Sequence, residues 1–302
     1  MLIDTHAHLN FPAFDKDRKE VIENCLGNEI WMINIGTNYE TSKKAVEIAQ
    51  RYERGVYAVI GLHPINLDTG LVKIKTDKLE GSCFEKEFDY ENYKKLAQSA
   101  KVVAIGEIGL DYYRKPKTKR KLELFKEKQK DLLLKQLKLA KELNLPPHQK
   151  FGSGGLPVIF HCRMAHDDLI KILTDPDRNF YDRRNRSQIK GVIHCFTGDW
   201  EQAKKYLEIG FYLGFNGLIF KMNSDEIIKK VPLERILIET DCPYLTPPAA
   251  RRSFSEGGQK QGERNDPINV KYVAEKIAKV KNLTFDKVAE ITTKNAKELF
   301  RI

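Results

Sequence analysis

Eight short apolar runs alternate with amphipathic helical patterns along the 302-residue chain, and several of the runs end in histidine or carboxylate. That alternation predicts an α/β fold, the (β/α)8 TIM barrel. The runs are rich in Val and Ile and nearly continuous in hydrophobicity, as strands buried on both faces of a parallel sheet are. Residues 1–302 accordingly read as one barrel domain, without an internal repeat or a low-complexity segment.

The first run, Met1–Thr5, leads into His6-Ala7-His8. Residues two apart on an extended backbone share a face, so both imidazoles can aim at one divalent ion. Ile30–Gly36 follows, and Thr37 with Glu40 has capping-box spacing ahead of a helix over Ser42–Tyr52. The third run, Val56–Leu62, ends at His63-Pro64, and the fourth, Val102–Ile108, contains Glu107. Pro157–His161 and Gly191–Cys195 end in His161-Cys162-Arg163 and His194-Cys195-Phe196. Phe211–Phe215 and Arg235–Thr240 complete the set, the last running into Asp241. Helices are expected over Asp17–Leu26, Glu87–Ser99, Lys119–Leu143, His166–Leu173, Trp200–Ile209, Pro267–Val280 and Phe285–Phe300. Asn223 and Glu226 are spaced to start another that runs to Lys230.

In such a barrel the loops that follow strands form the active face. His6, His8, Glu107, His161, His194 and Asp241 therefore converge on one rim, with His63 on a sixth strand. A single catalytic zinc takes about three protein ligands. The surplus predicts two divalent ions about 4 Å apart, bridged by a carboxylate. Ligation by nitrogen and oxygen suits Zn²⁺ or Mn²⁺, and less well Mg²⁺, which prefers fewer imidazoles.

Lys and Arg number 52 against 42 Asp and Glu, a net charge of +10 that favours polyanionic partners. Five cysteines, odd in number and without a C-x-x-C pair, argue against a disulfide framework or a zinc ribbon. With no leader and no apolar run of membrane-spanning length, a soluble cytoplasmic protein is expected, with no membrane partner. A monomer is the working expectation, although no surface stripe that would decide it can be identified from sequence.

Taken in order, Asp4-Thr5-His6-Ala7-His8, Gly61-Leu62-His63-Pro64, Gly106-Glu107-Ile108-Gly109-Leu110-Asp111-Tyr112, His161-Cys162-Arg163, His194-Cys195-Phe196, Glu239-Thr240-Asp241-x-Pro243-Tyr244-Leu245 and Arg264-Asn265-x-Pro267 resemble the TatD-type metal-dependent deoxyribonucleases, within the amidohydrolase-like TIM barrels. The resemblance runs over nearly the whole chain. It implies hydrolysis of DNA with two divalent metals (Mg²⁺, Mn²⁺ or Zn²⁺), typically from 3′ to 5′, on single strands or 3′ ends. It also implies that His6, His8 and Asp241 hold one ion, His161 and His194 the other, with Glu107 bridging and His63 and Arg163 facing the substrate phosphate. Asp241 and Glu107 are the expected catalytic pair, Asp241 also taking the proton of the attacking water. The sequence departs from the family at Pro64-Ile65, at Phe215-Asn216-Gly217, and in long insertions near Leu67–Phe84, Pro147–Leu156 and Asp175–Lys190.

Lesser expectations attach to neighbours. Asp4 either orients a ligand histidine or caps its strand. Asp111 and Tyr112 either contact the site or anchor their loop. Alternation turns Cys162, Cys195 and Cys242 away from the metals, while Tyr244 and Phe196 either stack on a base or belong to the core. Arg114, Lys115, Lys117, Lys119, Arg120 and Lys121 follow the fourth strand and could line a DNA track, or simply be a solvated helix start. The loop Thr246–Asn265, with Arg251, Arg252, Lys260 and Arg264, reads as a mobile substrate-binding lid. Arg183, Arg184, Arg186 and Lys190 precede a strand and belong to the far face. Two other readings compete: a barrel of the same kind hydrolysing an amide or ester, and a non-catalytic nucleic-acid-binding protein with a structural metal.

Overall fold

A computed structural model of the chain describes residues 1–73, 76–81, 84–143, 155–175, 177, 189–250 and 264–302. Eight strands form one parallel sheet in chain order: β1 (Leu2–Ala7), β2 (Ile30–Ile35), β3 (Val56–Ile60), β4 (Val102–Asp111), β5 (Val158–Arg163), β6 (Gly191–Ile193), β7 (Tyr212–Phe215) and β8 (Ile236–Ile238). The sheet rolls into a nearly closed barrel, because Ala7 bridges Cys242 and the Asp241 amide donates to the His6 carbonyl at 2.8 Å. The expected TIM barrel is therefore the fold observed.

The helices are α1 (Arg18–Gly27), α2 (Tyr39–Ala49), α3 (Tyr90–Leu96), α4 (Lys119–Glu142), α5 (His166–Thr174), α6 (Trp200–Glu208), α7 (Asp225–Lys230), α8 (Val270–Lys281) and α9 (Phe285–Phe300). Two expected caps differ. The box at α2 is built by Asn38 and Thr41, because Thr37 instead turns its hydroxyl toward Glu80. Helix α7 starts after Ser224 without a side-chain cap.

Inside the barrel, Ile3, Ile33, Val59, Val103, Ile159, Val192, Tyr212 and Leu237 pack as one cluster, one residue from each strand. Ala296, Leu299 and Phe300 of α9 join this cluster at the bottom, where Thr293 bonds the Met1 carbonyl and Asn295 bonds Leu233 and Ile236. Burying such a side chain stabilises by about 1.5–3 kcal/mol. That lower layer offsets the cost of crowding polar groups above it.

Strand periodicity then decides what lies above. Two residues beyond Ile159, Val192 and Leu237 come His161, His194 and Glu239, and two further come Arg163 on β5 and Asp241 after β8. Apolar side chains at one end of each strand and ligand-type side chains at the other produce a closed base and a polar mouth.

Candidate active site

The mouth holds a cavity of about 430 Å³ lined by His8, His63, Glu107, His161, Arg163, His194 and Asp241 among others. Of the eight residues the sequence assigns to the site, seven line this cavity, and His6 lies beneath them, fully buried.

Two buried glutamines of α4 hold the rim from outside. Gln136 accepts from the Leu62 amide at 2.7 Å and donates to its carbonyl at 2.9 Å, fixing the residue beside His63. Gln129 does the same for Asp111 at 2.9 and 3.0 Å. Seven residues apart, they sit two turns apart on one helix face and satisfy strand-end groups that have no neighbouring strand.

Glu107 stands at the centre, with its two oxygens facing different partners. Oε2 lies 3.4 Å from His6 Nε2. Oε1 lies 2.8 Å from His161 Nδ1, 3.4 Å from His63 Nε2 and 3.5 Å from His194 Nε2. Burial alone would raise this carboxyl, but the charges of His63, His194 and His6 and the hydrogen bond from His161 hold it well below the usual range. Asp241 Oδ1 lies 3.4 Å from His8 Nε2 and 3.8 Å from His6 Nε2, so His6, His8 and Asp241 form one compact donor set. A second set is His63, Glu107 and His161.

Tautomers separate ligands from donors. His8 Nδ1 donates to the Ile35 carbonyl at 3.0 Å, which leaves the Nε2 lone pair facing Asp241. His63 is the reverse: its Nδ1 accepts from the Ile65 amide at 3.0 Å, so Nε2 carries the proton and points at Glu107. A proton-bearing Nε2 suits a hydrogen-bond donor and not a metal ligand. His161 lies between two carboxylates, with Asp111 Oδ2 3.0 Å from its Nε2. Burial lowers its basicity, yet Asp111 and Glu107 together push it up to about 9.

A metal fits this site on its own chemistry. Both ring nitrogens of His6 are buried without a hydrogen-bond partner. Each such orphan costs about 1–3 kcal/mol, and a cation at Nε2 removes one of them. The donors are imidazole nitrogen and carboxylate oxygen, the mixture expected for a divalent transition ion.

Several neighbours differ from expectation. Asp4 orients no imidazole; it accepts from Thr240 N and Oγ1 at 2.9 and 2.5 Å and from His6 N at 3.2 Å, closing β1 onto β8. Cys162 and Cys242 are buried, as expected, but Cys195 is not turned away. Its φ of 46° breaks strand alternation and brings the thiol into the donor set of His194 and Asp241. Asp111 reaches the site, whereas Tyr112 anchors its loop by donating to Asp168 at 2.8 Å. Phe196 is buried against His166 and Tyr206, and the Tyr244 hydroxyl bonds Asp77. Arg264 is not free to bind phosphate: it pairs with Asp17 at 2.6 and 2.8 Å and covers the Phe14 ring. Residues 114, 115, 117 and 119–121 are exposed but do not line the cavity. Arg183, Arg184, Arg186, Arg251, Arg252 and Lys260 lie outside the described residues, as does nearly all of the 147–156 insertion.

Glu239 had been given no role. Its Oε1 lies 2.9 Å from His194 Nδ1, oblique to the ring N–H, and accepts from Cys195 N at 2.7 Å and Asn216 Nδ2 at 3.2 Å. Gly214 makes room for it, since a Cβ there would come within 2.6 Å of the carboxylate. With burial opposing, Glu239 and Glu107 push His194 up to about 10. Glu239→Gln keeps the shape and loses the charge that orients this imidazole. Metal affinity or turnover should fall about 10–100-fold; an unchanged metal titration would assign Glu239 to packing alone. Glu80, the other residue missed, enters the cavity wall from the 67–88 excursion and bonds Asn66 at 2.8 Å.

Fold and site together define a metal-dependent hydrolase built on a (β/α)8 barrel. The chain belongs to the TatD family: the family model described as TatD related DNase matches residues 3–301. A Bacillus subtilis protein named uncharacterized metal-dependent hydrolase YabD is 38% identical, each chain covered in full. Human deoxyribonuclease TATDN3 is 29% identical, over 99% of this chain and 94% of that one. The crystal structure of YJJV, a TatD homologue from Escherichia coli K12, superposes with a TM-score of 0.74 at 28% identity, covering 100% and 98% of the two chains.

Proposed function

We propose that the chain, acting as one barrel domain, hydrolyses phosphodiester bonds of DNA with two divalent ions, removing nucleotides from 3′ ends of single strands in the cytoplasm. The observation that carries this reading is the division of Glu107, one oxygen toward His6 and the other toward His161 and His194. Such a carboxylate can bridge two sites. His6, His8 and Asp241 would hold one ion and His161 and His194 the other, with Asp111 and Glu239 orienting the second pair. When bound, divalent ions lower the pKa of water and neutralise charge developing on the phosphate.

The remaining work falls to the chain's own groups. Asp241 lines the cavity, and its carboxylate is the group we assign to accept a proton from the attacking water. His63 carries a proton at Nε2 and can donate it toward a phosphate or leaving oxygen. Arg163 is exposed at the rim, and its planar fork suits a phosphate better than an amide or ester. Arg163 is also the only Lys or Arg among the described lining residues, which favours a phosphodiester over the other hydrolysable bonds.

A labelled single-stranded DNA oligomer tests the reading. Stepwise shortening from the 3′ end should stop with EDTA, resume with Mn²⁺, Mg²⁺ or Zn²⁺, and vanish in His161→Ala. An oligomer left intact with every ion removes DNA as substrate. Reloading should depend on pH with a definite sign. His161, at about 9, and His194, at about 10, hold protons at neutral pH in the ion-free protein. An ion must displace those protons, so apparent affinity rises from pH 6 to 8, by up to about tenfold per unit for each proton released.

A further inference from the structure

Beside the mouth, stacked on Arg163, stands Tyr113. Tyr113 is 54% exposed, the most exposed large aromatic among the described residues. Its amide donates to Asp111 Oδ1 at 2.9 Å, which ties it to the carboxylate behind His161. Across the β4–β5 ladder Asp111 pairs with Arg163, and the Arg163 guanidinium carbon lies 3.7 Å from the centre of the Tyr113 ring. At that separation the guanidinium stacks on the ring. Among the described residues no carboxylate pairs with Arg163, and Met164 beside it is 62% exposed.

This pair combines two properties that surface side chains seldom share. A flat apolar face stays open to water, and a cation with unclaimed N–H groups is held against it two residues from His161. One ligand class satisfies both: a flat heterocycle joined to a phosphate. The cavity wall carries several carboxylates and one permanent cation among the described residues. Glu80 stands in its wall from the β3 side, whereas Arg163 stands on the β5 side. Glu107, Asp111 and Asp241 line it as well, so Arg163 is the one permanent lining cation, among the described residues, that can hold a polyanion there.

Resting on the phosphodiesterase reading above, we propose that Tyr113 and Arg163 form a base-stacking step. The nucleotide beside the scissile phosphate sits there, its base on the Tyr113–Arg163 stack and its phosphate on the guanidinium edge. Every base has a π face, so the step binds without regard to sequence.

The test compares a single-stranded DNA oligomer with the same oligomer carrying abasic sugars, using the metal-loaded full chain. Wild type and Tyr113→Phe should show KM about tenfold lower for the base-bearing oligomer, the scale of one base–aromatic stack. Tyr113→Ala should lose that preference with kcat on the base-bearing oligomer changed less than threefold. Equal KM for the two oligomers in wild type, or a preference retained by Tyr113→Ala, overturns the step while phosphodiester hydrolysis stands. Failure of wild type to cleave either oligomer overturns the hydrolysis reading and the step with it. Because Tyr113 is exposed, its replacement leaves the barrel core untouched, and the Phe variant separates ring loss from hydroxyl loss.

Discussion

Glu107→Ala should reduce the bound divalent ions from two per chain to one or fewer and lower DNA hydrolysis by on the order of 10³-fold. Both effects follow from one position. Among the described residues Glu107 is the one carboxylate that lies within 4 Å of all four of His6, His63, His161 and His194, and its oxygens divide these imidazoles into two groups. Deleting it removes the proposed shared ligand and leaves the four imidazoles facing one another without a carboxylate between them. Their attraction for protons falls with it, since Glu107 is among the groups that push His161 up to about 9 and His194 to about 10. The variant therefore releases fewer protons on binding any ion that remains. Glu107→Gln, which keeps one neutral acceptor oxygen in the same volume, should lie between wild type and Ala. The decisive measurement is elemental analysis of metal content beside turnover on an oligomer. Two ions retained with near-wild-type turnover would sink the bridging role.

The donor set was readable in sequence for a geometric reason. His6 lies where β1 shifts register, between Asp4 and Ala7, but His161, His194 and Asp241 each follow an apolar run whose buried members fix the parity of the strand, as Ile159 does for His161 and Leu237 for Asp241. The same parity places Glu239 inward, two residues before Asp241, and a stricter use of alternation would have found it. Cys195 and Asp241 lie where the regular strands have already ended. Both have left-handed backbone, φ 46° and 58°, and such a turn at a non-glycine residue leaves no periodic trace. Backbone bonds hold both turns: Cys195 N to Glu239 and Asp241 N to the His6 carbonyl.

What sequence could not supply is the identity of the walls. Glu80 reaches the cavity because the chain beside it packs on the β1 loop, with the Ala13 amide donating to the Leu79 carbonyl at 3.2 Å. Arg264 reads as one more basic residue of a substrate loop until its pairing with Asp17 is seen. Both facts depend on contacts between distant segments, which no local pattern encodes. The β8 loop is thus anchored at its end by Arg264, which leaves Arg163 as the proposed basic contact to a phosphate among the described residues that line the cavity.

Asp241→Asn should separate metal binding from proton transfer. Asp241 faces His8 through Oδ1, and although burial favours its neutral form, the surrounding imidazoles of His8, His194 and His6 hold its carboxyl below the usual range. Asparagine retains a ligand oxygen in the same place but cannot accept a proton at neutral pH. Its uncharged amide also weakens the His6–His8 site, so excess metal is required to fill wild type and variant equally. At saturating metal, turnover should still fall about 10²–10⁴-fold, the usual contribution of a positioned base. The rise of rate with pH that a carboxylate base imposes at the acid end should disappear, while KM for the oligomer stays close to wild type. The result that removes Asp241 from proton transfer is a saturated variant with near-wild-type turnover and an unaltered acid limb. The base would then be sought in Glu107, the other carboxylate that faces the cavity from the centre of the donor set.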